Sequence, residues 1–245
     1  MMTQFMTAAC GDKVAYEAKI NEAAKTAVCF LPGFMSNKQG TKAQFLSVYC
    51  QEKGLDYYAL DYRGHGESGG AFRELTISDW LADARQLLDL INKPVILVGS
   101  SMGGWLSLLL AQSDSEKIKG LVLLAPAPDF TVRLHQAFTD AQRMELKSKG
   151  YVSIDSGYET PHIFTQQLIE DGQNHLLMQA DIALTMPVSI LQGKQDASVP
   201  WQETNELVQK IESPYVRYHL IKGADHGLSR PEDLTLLAAE IDWLT

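Results

Sequence analysis

The sequence predicts an α/β fold, a mostly parallel, doubly wound sheet with helices on both faces, interrupted by one small insertion. Three observations carry this. First, segments 26–32, 55–61, 94–100, 118–127, 187–193 and 215–221 are apolar and partly β-branched, and the middle ones are nearly continuous apolar runs. Strands covered on both faces of a parallel sheet have that composition. Second, helical patterns separate these segments, and alternating strand and helix implies right-handed crossovers. Third, 245 residues suffice for one well-buried core, so residues 1–245 form a single domain.

The elements follow in order. "TQFMTAA" and "VAYEAKI", joined by "CGDK", predict an antiparallel hairpin at the sheet edge. Over 77–91, Ile77, Trp80, Leu81, Ala84, Leu87, Leu88 and Ile91 recur at helical spacing with Asp79, Asp83, Arg85 and Asp89 between them. A helical run, "MGGWLSLLLAQ", follows the strand at 94–100. From Ala127 to Met186 the rhythm breaks for 60 residues, against about 2 to 6 in an ordinary α/β connection. This stretch holds helical pieces at 133–148 and 162–170 around a turn-rich "KGYVSIDSGYETP". Such an insertion serves as a lid or a binding loop. Pro231 stands at a first helical position before Leu234, Leu237, Ile241 and Leu244.

A formal net charge of −9 repels nucleic-acid phosphates and anionic lipid, so no nucleic-acid partner is expected. Cys10, Cys29 and Cys50 are odd in number and lack C-x-x-C spacing, and read as small buried hydrophobes rather than a disulfide set or a metal site. The N-terminus lacks a basic segment followed by an apolar stretch of about 7 to 15 residues. No run approaches the ~20 apolar residues that span a bilayer. The expected location is the cytoplasm.

The chemistry begins at "PVILVGSSMGG" (94–104), which contains G-x-S-x-G as Gly99-Ser100-Ser101-Met102-Gly103 between strand and helix. That context suits a nucleophile elbow, where small neighbours let the chain close around a strained serine. Ser101 is the nucleophile in this register. A serine hydroxyl needs a base, and the base needs an orienting group; on this kind of sheet the order is serine, acid, histidine. Asp196, in "ILQGKQDASVP", and His226, in "YHLIKGADHGLSRPE", each follow an apolar strand. Both therefore stand at the carboxyl ends of strands, where open α/β sheets bind ligands.

The competing residues read differently. His219 alternates within a strand; His135, His162 and His175 lie in the insertion; His65 precedes the serine in a glycine-rich loop; Asp225 adjoins His226 as a turn residue. Asp129 remains the alternative acid. Oxyanion donors are expected from the backbone N–H of Met102 and of Phe34, which follows Gly33 in "LPGFMS". Gly33, Trp105 and Trp201 are candidate substrate contacts, the two indoles as apolar walls. No metal or other cofactor is implied.

With these residues in place the chain resembles the α/β-hydrolase superfamily over essentially its whole length. "FLPGFMSNKQGTKA", "LDYRGHGESGG", "ILVGSSMGGWL", "ILQGKQDASVPW" and "ADH" resemble the small serine hydrolases that include the mitochondrial palmitoyl-protein thioesterase, also described as an acyl-glucuronide esterase. The segment "ELKSKGY" resembles part of that family's lid. The resemblance implies the same triad, Ser101, Asp196 and His226, and hydrolysis of acyl thioesters or activated esters. The expected partner is a small-molecule ester or thioester, or an acylated protein. The family's mitochondrial location does not carry over, because no transit segment is recognisable. Rival readings are a carbon–carbon hydrolase or a peptidase on the same scaffold, and a binding protein without turnover.

Overall fold

The computed structural model describes residues 3–155 and 161–245. Strands β1 (Gln4–Thr7) and β2 (Lys13–Lys19) form the N-terminal antiparallel hairpin. Next come β3 (Ala27–Leu31), α1 (Thr41–Lys53), β4 (Asp56–Leu60), α2 (Ile77–Leu90), β5 (Val95–Ser100), α3 (Met102–Ser113) and β6 (Ile118–Leu124). The insertion carries α4 (Phe130–Ala137), α5 (Asp140–Lys149), β7 (Tyr151–Ile154), β8 (His162–Thr165) and α6 (Gln166–Gly172). The chain then closes with β9 (Ile182–Ala183), β10 (Val188–Gly193), α7 (Trp201–Lys210), β11 (Ile211–Glu212), β12 (Val216–Ile221) and α8 (Pro231–Leu244).

Eight strands form the main sheet in the order β1-β2-β4-β3-β5-β6-β10-β12. Only β2 runs antiparallel to its neighbours; every other pairing is parallel. Strands β3, β4, β5 and β10 are buried at every position. The reason is a period of two under two layers of helix. Cys29, Leu31, Val95 and Leu97 pack with Trp80, Leu87 and Leu88 of α2 and with α3 on one face. Val28, Phe30, Ile96 and Val98 pack with Leu46 and Cys50 of α1 and Leu237 and Ile241 of α8 on the other. Helix α2 starts at a capping box in which Asp79 accepts from the Thr76 backbone N–H at 3.0 Å.

Three expectations are corrected. The helix expected over 133–148 is two helices, because Phe138 turns extended and buried while Thr139 caps α5 through Gln142. The helix expected over 162–170 begins as β8, paired antiparallel with β7 through Val152 opposite Phe164; the turn-rich stretch supplies β7, and its residues 156–160 lie outside the described residues. Cys10 is exposed, its sulfur accepting from Arg63 at 3.1 Å, whereas Cys29 and Cys50 are buried. Burial pushes both buried thiols up to about 12, so neither is a nucleophile at neutral pH.

Hydrogen bonds to the core and within the insertion hold it in place. Trp105 Nε1 donates to the His175 carbonyl at 3.0 Å, and Asp171 accepts from Ser78 N–H at 2.8 Å and from its hydroxyl at 2.7 Å. Asp129 accepts from the Leu177 and Met178 amides at 2.9 Å each. No described helix is long and apolar enough to cross a membrane.

Candidate active site

Ser101 follows the last residue of β5 and precedes the first residue of α3, at φ 55° and ψ −118°. A non-glycine residue there costs on the order of 1–3 kcal/mol and persists only when its surroundings impose it. Here the surroundings are backbone. A Cβ on Gly99 would meet Ser107 Oγ at 2.3 Å and Gly103 O at 2.4 Å, and one on Gly103 would meet Leu31 O at 2.0 Å. The two glycines of G-x-S-x-G therefore let α3 lie against β3 and β5 with the serine at the apex. Gly103→Ala is expected to cost about 1–3 kcal/mol through this overlap, read as a fall of several degrees in Tm.

Among the described residues, the other non-glycine residues at positive φ are Met35, Ala125, Asp129 and Leu228. Each follows the carboxyl end of β3, β6 or β12, so the strained backbone gathers at the same rim as Ser101.

His226 follows β12 and Asp196 follows β10, and the two loops are zipped together. Lys194 N donates to Ile221 O and Gln195 N to Ala224 O, both at 2.9 Å. His226 Nδ1 lies 2.8 Å from Asp196 Oδ2. The second carboxylate oxygen accepts from the Ser198 and Val199 amides, each at 2.8 Å, and Gln192 Nε2 donates to Oδ2 at 3.0 Å. Burial works against the Asp196 charge, but the His226 hydrogen bond and charge, then Val199 and Gln192, outweigh it and hold the carboxyl below its ordinary value. An ionised carboxylate only accepts, so Nδ1–H is the donor to Asp196.

Ser101 and His226 line one cavity of about 640 Å³, together with Gly33, Phe34 and Met102. No hydrogen bond joins Ser101 Oγ to the imidazole, and catalytic contacts of this kind are commonly long in an unliganded site. Gly33 sits against the elbow, where a Cβ would meet Ser101 Cβ at 3.2 Å. The neighbouring Ser101, Gly104 and Trp105 amides are spent on Leu124 O and Ser101 O. Those of Phe34 and Met102 take no protein acceptor among the described residues.

The loop bearing Phe34 is braced by His65. Its Nε2 accepts from the Met35 amide at 3.1 Å while Nδ1 lies 3.1 Å from Arg63 O. Burial pushes this imidazole below its ordinary value, keeping the acceptor neutral. His65 is thus a loop brace.

Asp129 spends its carboxylate on the insertion and does not meet His226. Asp225 accepts from Gly227 N at 2.9 Å as a turn residue. The two indoles are corrected, for neither lines the cavity. Trp105 is fully buried with its N–H given to His175, and Trp201 opens α7 with its ring beside Lys194. The apolar wall comes instead from Phe34, Phe130, Leu134, Ile154, Phe164 and Val199. Phe34 stacks on Phe164 at 5.0 Å and 7°.

Gln192 escaped sequence reasoning, although a glutamine in an otherwise apolar strand was its signal. It is fully buried, and its Oε1 accepts from Thr204 at 2.7 Å. Among the described residues, no group of three or more His, Cys, Asp or Glu side chains could hold a metal.

Comparison with known proteins agrees with the fold. A family model described as serine aminopeptidase, S33 (Hydrolase_4) matches residues 22–181. The chain is 35% identical over 218 residues to the mouse mitochondrial palmitoyl-protein thioesterase ABHD10, covering 88% of this chain and 73% of that protein. Its structure resembles a putative hydrolase from Agrobacterium vitis S4, with TM-score 0.95, 36% identity and coverage of 99% and 98% of the two chains. It also resembles mouse α/β hydrolase domain-containing protein 10, with TM-score 0.90, 32% identity and coverage of 100% and 98%. The expectation of a cytoplasmic location finds no support here, since the thioesterase relative is named as mitochondrial. On the matched family model and these relatives, the chain belongs to the Hydrolase_4 family of serine hydrolases, built on the α/β-hydrolase fold.

Proposed function

We propose that the chain cleaves acyl thioesters and carboxylic esters through an acyl-enzyme on Ser101. The observation that carries this reading is the convergence on one cavity of a strained serine, a histidine held by an ionised Asp196, and two unspent amides. His226 Nε2 takes the Ser101 proton as Oγ attacks the acyl carbon, and the Phe34 and Met102 amides receive the developing oxyanion. His226 then returns the proton to the leaving group, which an alkoxide needs more than a thiolate does. Water, activated by the same imidazole, hydrolyses the acyl-enzyme and restores Ser101.

The acyl chain lies against Phe34, Phe130, Leu134, Ile154 and Phe164, and the cavity volume falls within the roughly 300–1,000 Å³ range of small-molecule sites. The described residues of 127–186 act as the lid over the acyl group. Similarity to a palmitoyl-protein thioesterase supports long acyl groups, with an acylated protein as one substrate class.

The test is a rate profile over C2 to C16 thioesters and p-nitrophenyl esters, an acyl glucuronide, a diketone and a proline amide, with fluorophosphonate labelling in parallel. Labelling of Ser101 and turnover that rises with chain length are expected. Turnover of the diketone or the amide alone would install a rival hydrolase chemistry. Ligand binding with neither turnover nor labelling would leave a binding protein.

A further inference from the structure

We propose that Lys42 is a positioning residue for His226, joining the histidine loop to the segment that carries the oxyanion donor. This rests on the catalytic reading of Ser101, Asp196 and His226. The segment "SNKQGTKA" (36–43) begins two residues after Phe34 and runs into the first turn of α1. Its two lysines do opposite things. Lys38 turns inward, its backbone N–H donating to Asp61 Oδ1 at 2.7 Å and its ammonium to Asp61 Oδ2 at 2.9 Å and to Glu67. That fastens the segment to the end of β4. Lys42 reaches outward, and its Nζ donates to the carbonyl of Gly227, the residue after His226, at 2.6 Å.

This is a contact between positions 185 apart in the chain. No other described bond ties the side chains of 33–42 to the histidine loop. Burial disfavours the Lys42 charge, while Asp225 and Asp233 favour it from beyond ion-pair distance. A desolvated ammonium with a backbone carbonyl as its only described hydrogen-bond acceptor makes a short, charge-assisted bond.

The histidine loop needs such a tether. Asp196 holds the ring at Nδ1, but the backbone from which the ring projects turns through Gly227 into Leu228 at φ 42°. Only the Gly227 N–H to Asp225 and the Ser229 hydroxyl to Gly227 O brace that peptide locally. Lys42 adds a brace from the segment after Phe34, so that base and oxyanion donor keep one spacing. A displacement of about 1 Å at a reacting group costs on the order of a hundredfold in rate.

Because Lys42 also lines the cavity, its charge is open to a competing use, attraction of an anionic substrate. The experiment separates the two with a neutral ester, p-nitrophenyl butyrate, and a carboxylate-bearing one, the p-nitrophenyl monoester of succinic acid. Lys42→Met is expected to lower kcat for both by about tenfold or more, with KM within about threefold, Tm little changed and Ser101 labelling slowed in parallel. Lys42→Arg, which keeps a charged donor, restores most of kcat. Should Lys42→Met fail to fold, Lys42→Gln removes the charge and shortens the reach for the same measurements. Unchanged kcat, or a KM increase confined to the succinate ester, overturns the proposal. An inactive and unlabelled wild-type chain would instead remove the catalytic reading beneath it.

Discussion

Ser101→Ala lowers kcat for a p-nitrophenyl ester by about 10⁴ to 10⁶, the range expected when one member of a unit of three is removed. Fluorophosphonate labelling disappears with it. The loss is chemical, since alanine fills the same backbone position between Ser100 and Met102. What survives comes from the Phe34 and Met102 amides and from binding, worth about 10³ to 10⁴ over water in comparable hydrolases. Ser100→Ala is the matched control. Ser100 is buried as the last residue of β5 and does line the cavity, but it lacks the positive φ that lifts Ser101 to the apex. Turnover that persists in Ser101→Ala and falls in Ser100→Ala would shift the nucleophile by one residue and undo the elbow assignment.

Asp196→Asn is the second large effect, with kcat expected to fall by about 10⁴. The structure dictates how the new amide must lie. One oxygen of Asp196 accepts from the Ser198 and Val199 amides, so the asparagine carbonyl is held there and its NH₂ is forced toward His226 Nδ1 and Gln192 Nε2. Facing a donor, the imidazole keeps its lone pair on Nδ1 and moves its proton to Nε2, the tautomer that cannot take a proton from Ser101. Gln192 Nε2 meets a donor in place of its acceptor, although it retains the Gly193 and Val199 carbonyls. Tm should therefore fall modestly while kcat collapses. Equal turnover in the variant and the wild type would mean that His226 is oriented by something other than Asp196.

Much of the fold was legible because burial on both faces leaves few choices. The apolar runs at 26–32, 55–61, 94–100 and 187–193 need no partner to be recognised, since a strand beneath helices on either side is apolar throughout. Helices α1 and α7 were harder to find. The buried positions of α1 include Ala43, Ser47 and Cys50 and those of α7 include Thr204, which weakens the apolar period. Within the insertion, β7 and β8 are half-covered strands of four residues each, too short for alternation to declare itself against the helical pieces beside them.

The site divides in the same way. G-x-S-x-G, the order of serine, acid and histidine, and the glycine before Phe34 are local in sequence, because each sits at a strand end whose position the sheet fixes. Trp105 and Trp201 misled because an indole in a motif suggests an apolar wall, whereas only packing reveals that Trp105 faces the insertion and bonds His175. The wall itself, from Phe34 to Phe164, depends on how β8 and α4 fold back over the sheet.

The layers, the strand ends and the tight strand-to-helix turn around Ser101 are written in the sequence, since apolar period and steric demands on glycine act over a few neighbouring residues. Which oxygen of Asp196 faces the imidazole, what roofs the cavity, and that Lys42 reaches Gly227 are settled by packing in the folded chain. Those contacts join positions that lie far apart along the chain, and no local spacing encodes the distance across a folded sheet.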